Sequence, residues 1–185
     1  MEFDNYLVEL IQEAAQKAFT KLLSEHNERF YYYSLITTDN ALCPCIAAWS
    51  YEALDNAIND KNKDYIKWDI AESPYYAFAY EEYFGNVEKV FNDRMEEIES
   101  RVYGERFKVI GDEGEIDKEI ELRLNSMEEA MRNLDKKGFF DKNMDRTNVV
   151  VSVEIIPPEY SNTERTIRLN PREAIEEWLE EAESI

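Results

Sequence analysis

The sequence predicts an α+β fold: a single compact domain in which an antiparallel sheet, built from an N-terminal hairpin and C-terminal strands, packs with several helices. Three observations carry this. Amphipathic helical periodicity opens the chain, aromatic and β-branched runs fall in two separated groups, and further helical stretches lie between and after them. With five glycines and five prolines in 185 residues, no Pro/Gly/Ser-rich linker divides the chain. Residues 1–185 therefore read as one domain.

Residues 4–26 are expected to be helical. Leu7, Leu10, Ile11, Ala14, Ala18, Leu22 and Leu23 recur at helical spacing, with Glu9, Glu13, Gln16, Lys17 and Lys21 opposite. Asp4 or Asn5 suits the N-cap, and the chain's single histidine, His26, falls in the last turn. The run Phe30–Thr37 has strand composition, Thr38-Asp39-Asn40 supplies a turn, and Leu42–Trp49 returns as a second strand that Pro44 confines to an edge or bulge. Ser50 caps a short helix carrying Leu54, Ala57 and Ile58. Ser73-Pro74 has the form of a helix start, Gly85-Asn86 of an interruption, and Val87 to Val102 of an amphipathic helix.

Phe107–Ile110 suits a short strand, Gly111-Asp-Glu-Gly114 a turn, and residues 115–124 fit helix and strand equally. Ser126-Met-Glu-Glu129 matches a capping box opening a helix that Gly138 ends. Val149–Ile156 is the clearest strand, stopped by Pro157-Pro158, and residues 163–169 are expected to pair beside it. Asn170-Pro171 then begins a last helix, with Ala174, Ile175, Trp178 and Leu179 inward.

Composition bounds the function. Twenty-four aromatic residues supply burial that a disordered chain lacks. No run approaches the roughly 20 apolar residues of a membrane span, and Met1-Glu2-Phe3-Asp4 lacks the basic and apolar regions of a secretory leader. Two cysteines do not make a secreted disulfide scaffold. The expectation is a cytoplasmic protein. Its 41 acidic and 21 basic residues give a net charge of −20. Residues 1–85 hold 15 acids and 6 bases, and residues 86–185 hold 26 and 15, so the excess is no tail. Such a surface repels phosphate, which argues against nucleic-acid and anionic-membrane partners, and attracts a basic protein. Solubility alone accounts for the same charge and is the simpler reading. The oligomeric state is left open.

No motif carries chemistry. Five scattered glycines build no phosphate loop, and one histidine far in sequence from Cys43 supports no nucleophile pair. Cys43-Pro44-Cys45 is one residue short of a redox motif. On a strand its two backbones stand roughly 6.6 Å apart, whereas a disulfide wants Cβ atoms at roughly 3.8 Å. Both thiols are read as small apolar residues. Asp112, Glu113, Glu115 and Asp117 depart from a calcium loop, and the glutamates at 96, 97, 99, 176, 177, 180 and 181 read as solvated helix faces. No catalytic residue, metal or cofactor is assigned.

The segment 65–84 holds eight aromatics: Tyr65, Trp68, Tyr75, Tyr76, Phe78, Tyr80, Tyr83 and Phe84. Core packing explains them. So does a partner-binding surface of Trp68, Asp69, Glu72, Tyr75, Tyr76 and Tyr80, aromatic anchors ringed by acids. Tyr75, Tyr76 and Tyr80 are taken as the partly exposed ones.

Several pieces together resemble a bacterial family, domain of unknown function number 4303. They are Ala14, Ala15, Ala18 and Phe19 of the opening helix, Phe30-Tyr-Tyr-Tyr-Ser-Leu35, Ser50-Tyr-Glu-Ala-Leu54, Trp68 to Tyr75 with the aromatic run to Phe84, Leu134-Asp-Lys-Lys-Gly-Phe139, Val149–Val153 and Leu169-Asn-Pro171. Residues 96–124 stand outside the resemblance, as a variable insertion would. In gene context such proteins are similar to immunity components of polymorphic-toxin systems. The resemblance thus implies a non-catalytic protein that binds and neutralises a toxin, and the acidic charge of this chain suits a basic one. The alternative is an enzyme or small-ligand binder using carboxylates in an aromatic-walled pocket, and a structural subunit with a flat apolar patch is a third.

Overall fold

The computed structural model describes residues 1–57, 66–103, 109, 111–112 and 114–182. At its centre lies strand β1 (Phe30–Thr38), flanked by β2 (Cys45–Ser50) and β3 (Val150–Ile156) in the order β2-β1-β3. β1 pairs antiparallel with β2 (Tyr33 opposite Ala48) and parallel with β3 (Ser34 beside Ser152). The sheet is therefore mixed, which corrects the expected antiparallel one. Apolar patterning reports that a strand is buried and carries no record of its direction. Here the long crossover between β1 and β3 is what permits a parallel partner.

β1 is buried from Phe30 to Thr37, as a strand packed on both faces must be. On one face lie α1 (Asn5–Glu25) and α5 (Gly114–Lys136). Phe19 of α1 meets Tyr33 edge-on at 5.3 Å and Phe140 at 6.0 Å. A register shift between Phe30 and Tyr32 marks a bulge. Through it, Tyr31 and Tyr32 both pack against Trp68, while Phe30 and Tyr33 pack on each other. The Tyr31/Tyr32 side is covered by residues 66–72 and by α7 (Arg172–Ala182), whose Ile175 and Trp178 are buried.

α1 begins as read, with the Asp4 carboxylate accepting from the amides of Tyr6 (2.9 Å) and Leu7 (3.4 Å). Ser50 accepts from the Ala53 amide at the start of α2 (Tyr51–Ala57). α3 (Tyr80–Tyr83) and α4 (Gly85–Val102) follow, and Gly85 opens α4 where an interruption was expected. Gly111 closes the approach to α5: a Cβ there would stand 2.6 Å from the Arg101 carbonyl oxygen. α5 ends as expected, with Gly138 at φ +66° and the Phe139 amide donating back to Leu134.

Three expected caps fail for one reason: a side chain that suits a cap locally found a better partner in space. Ser126 opens no helix. It lies inside α5, donates to the Leu122 carbonyl (2.7 Å) and accepts from the Asp4 amide (3.1 Å). Ser73-Pro74 starts a turn, because the Ser73 hydroxyl donates to the Ala48 carbonyl on the edge of β2. Residues 163–169 form no strand but belong to α6 (Tyr160–Leu169). Asn170 bonds a strand where it was expected to cap α7. The second strand is also shorter than Leu42–Trp49, beginning after Pro44. Of the expected strand 107–110, only Val109 is described, in an isolated bridge with Tyr103. Residues 115–124 are helical, and Ile58, Tyr65 and Glu113 lie outside the described residues.

The open edge of β3 is closed by side chains of α6 and the residue after it. Asn162 accepts from the Ile155 amide (2.9 Å) and donates to its carbonyl (3.0 Å). Arg165 donates to the Val153 carbonyl (3.1 Å). Asn170 pairs with the amide and carbonyl of Val151. Alternate residues 151, 153 and 155 are thus met as a fourth strand would meet them, and the edge is no template for another chain. Asn162→Ala leaves the buried Ile155 amide and carbonyl unpaired. A loss of about 2–4 kcal/mol is expected, read as a lowered urea midpoint; an unchanged midpoint would show that the edge needs no cover.

Candidate interaction site

The aromatic segment is bolted along β2 and the Tyr31/Tyr32 face. Trp49 donates its indole N–H to the Asp69 carbonyl (2.8 Å), and the Asp69 carboxylate caps the 3-10 turn Ile70–Glu72 by accepting from Ala71 (3.0 Å). Trp68 is half-buried, edge-on to Tyr31 (5.4 Å) and Tyr32 (5.7 Å). Tyr75 departs from the expected exposure. It is 8 % exposed, donates to the Glu28 carboxylate (2.7 Å), lies 3.3 Å from Nδ1 of His26 and packs on Phe30 at 5.4 Å. Burial, with the Glu28 bond, pushes its phenol well above the ordinary range. Tyr75 is a core strut, and the chain's one histidine, just past the end of α1, packs against it at 4.7 Å.

The other members face outward to different degrees. Asp69 and Glu72 are exposed, Tyr76 is 45 % exposed, and Tyr80 is half-buried, stacked on Phe84 at 5.8 Å. Tyr76 and Tyr80 lean on the two cysteines: the Tyr76 hydroxyl reaches Cys45 and that of Tyr80 reaches Cys43. Ala41, Ala77 and Ala79 have left-handed backbones (φ 46°, 53° and 55°), all in the two segments that carry these thiols and phenols. A side chain with a Cβ adopts that region only where its surroundings hold it. Arg123 supplies one such hold by donating to the Ala41 carbonyl (3.3 Å).

Sequence reasoning missed a buried carboxyl. Glu154, on β3, is 9 % exposed and accepts from the Tyr32 hydroxyl, with Ser34 and Arg165 nearby and Trp178 and Ser152 within reach of the same phenol. Burial raises its pKa above the usual carboxylate range, more than the Tyr32 and Ser34 bonds lower it. The signal was present in Val-Val-Ser-Val-Glu-Ile-Ile, a polar pair at alternate positions of a strand apolar on both sides. Two further networks are scaffold. Burial alone would raise the Glu119 carboxyl, yet Arg94 and Arg123 outweigh it and hold it low. The fully buried Glu128 takes Arg132 and Arg168.

Among the described residues no three His, Cys, Asp or Glu side chains gather as a metal site, and no helix is long and apolar enough to cross a membrane. Asp112 caps Gly114, and Glu115 pairs with Arg101. A shallow groove of about 570 Å³ runs between α1 and α3, lined by Glu13, Gln16, Lys17, Lys21, Glu82 and Tyr83 among others. The proposed partner surface lies apart from it in sequence, except that Glu82 and Tyr83 share α3 with Tyr80.

Two measurements follow from these environments. Burial pushes the Cys43 thiol up to about 12 and the Cys45 thiol to about 11. Ellman's reagent at pH 8 should therefore react slowly with the native protein and rapidly, at two thiols, once it is unfolded; fast native labelling would contradict the burial. The raised Glu154 carboxyl means the folded state holds a proton that the unfolded state releases. Stability therefore falls as pH rises through the window from the unfolded value near 4.3 up to the folded value. Glu154→Gln should be more stable than the parent at pH 8, with the gap closing toward pH 4 in urea titrations.

No curated protein and no solved structure matches the chain. The model of one family, described as Domain of unknown function (DUF4303), matches residues 11–171, which include β1, the Ser50 cap, the aromatic segment and Asn170. By that match, covering the whole sheet and the strip Trp68–Tyr80, the chain belongs to the DUF4303 family.

Proposed function

We propose that the protein is a non-catalytic, immunity-type binding protein of the bacterial cytoplasm that sequesters a basic toxin by direct contact. The observation that supports this best is the exposed strip Asp69, Glu72 and Tyr76 on a segment pinned rigidly to β2, in a chain of net charge −20. A long-range negative field speeds encounter with a cationic partner, and a rigid aromatic anchor then holds it at little cost in side-chain entropy. Trp68 and Tyr80 border the strip, and Tyr75 supports it from beneath by fixing the turn to Glu28.

Glu154 favours a second reading, an enzyme or small-ligand binder. Its carboxyl is held among Tyr32, Trp178 and Ser34 with raised affinity for its proton, as a general acid would be. Turnover by the purified protein that disappears in Glu154→Gln would establish that reading and end the first.

Co-expression with the product of the neighbouring gene is the direct test of binding: if that product is a toxin, growth should be restored and a stable complex should elute on gel filtration. The double reversal Asp69→Lys, Glu72→Lys should slow association by about tenfold at low salt, the difference shrinking as salt is added. An association rate indifferent to both changes would remove this strip from the interface.

A further inference from the structure

Beside the strip, at its N-terminal end, three aromatic rings form a corner. Tyr31 and Trp68 stand nearly perpendicular, at 85° with centroids 5.4 Å apart, and Tyr51 lies along Tyr31 at 4.6 Å. Two cations lie over these rings. Lys67 places its ammonium 4.9 Å from the Trp68 centroid and 6.0 Å from that of Tyr31, and the Arg29 guanidinium sits 5.3 Å over Tyr51. The Lys67 ammonium is also paired with Glu177 of α7, whose side chain is 65 % exposed while that of Lys67 is 18 % exposed. The corner therefore has ring walls, a carboxylate at its mouth, and a side chain of the same chain folded into it.

The Lys67 side chain makes its contacts with the Glu177 carboxylate and the Trp68 and Tyr31 ring faces. What the scaffold uses is the Lys67 backbone carbonyl, which accepts from the Tyr31 hydroxyl (2.6 Å) and stays in place whatever side chain the residue bears. Ring faces and a carboxylate attract any alkylammonium or guanidinium alike. We propose that this corner is a cation-recognition site closed in the unbound protein by Lys67, and that a lysine or arginine side chain of the basic partner takes the place of Lys67 on binding. This rests on the partner-binding reading above and assigns that partner the group it inserts. A displaced Lys67 ammonium enters water on a chain of net charge −20, so no buried charge is stranded. The plug also sets a threshold, because a cation arriving without further contacts must compete with an ammonium already tethered to the site.

The test uses the whole chain. Its three tryptophans give three indole N–H signals in 1H–15N spectra, of which Trp68→Phe assigns one. N-acetyl-lysine amide is titrated into the parent and into Lys67→Ala, with N-acetyl-norleucine amide as the uncharged control. The Trp68 signal should shift saturably in Lys67→Ala, at about tenfold lower ligand concentration than in the parent, and should ignore norleucine. Lys67→Ser is titrated in the same way, and supplies the reading if the alanine variant proves insoluble. An unmoved Trp68 signal, equal midpoints with and without Lys67, or an equal response to norleucine would each overturn the proposal. A silent Trp68 beside an intact, salt-dependent toxin complex discards this site and leaves the partner reading standing; absence of any complex discards that reading and the assigned occupant with it.

Discussion

A sheet of only three strands has two edges for one interior strand, and closing those edges is the constraint on which the rest of this structure depends. β1 is paired on both sides, but β2 and β3 each present a row of backbone groups that water or another chain would otherwise take. On the β3 side the closure comes from Asn162, Arg165 and Asn170, whose amide and guanidinium groups meet alternate residues of the strand. On the β2 side Ser73 meets Ala48, and Trp49 reaches the Asp69 carbonyl. The placement of α6 and of the aromatic segment follows from these bonds.

That second closure decides which residues of the aromatic segment face outward. Because the segment after residue 66 is bonded to β2, its buried members (Ile70, Ser73 and Tyr75) serve as fasteners. Asp69, Glu72 and Tyr76 are thereby held outward. The same bonds bring Trp68 against the bulged Tyr31 and Tyr32, creating the ring corner that Lys67 fills. Interior and presenting surface are two sides of one strip of chain. Core and surface, alternatives posed for the segment as a whole, divide residue by residue.

The ion pairs divide in the same way. Arg123, 1 % exposed, holds Glu119, the Phe91 and Ala41 carbonyls and the face of the Phe91 ring, and so ties α5 to α4 and to the turn before β2. Pairs of this kind lock geometry more than they add stability. The surface acids, by contrast, belong to a chain with about twice as many acids as bases, so its charge stays negative even where Glu13, Asp93 and Glu97 pair with a neighbouring cation. They shape the long-range field and leave the fold alone.

The helices with one wet face were legible from the sequence, because α1 and α4 each carry a stripe whose period is a property of the backbone alone. So were the positions of β1 and β3, the Asp4 and Ser50 caps and the Gly138 stop, which depend on neighbours within a few residues. The family resemblance rested on the same local patterns of core and cap residues, and the family match spans them. Strand direction, the helical state of residues 163–169, and the partners of Ser73, Ser126 and Asn170 were not legible. Each of these hydroxyls and amides can bond its own backbone or that of a distant strand, and only the assembled sheet offers the second choice. The same holds for Glu154, Tyr75 and Lys67: their types were plain, but burial, proton affinity and ring contact are properties of what surrounds a side chain, and those surroundings exist only after the chain has closed on itself.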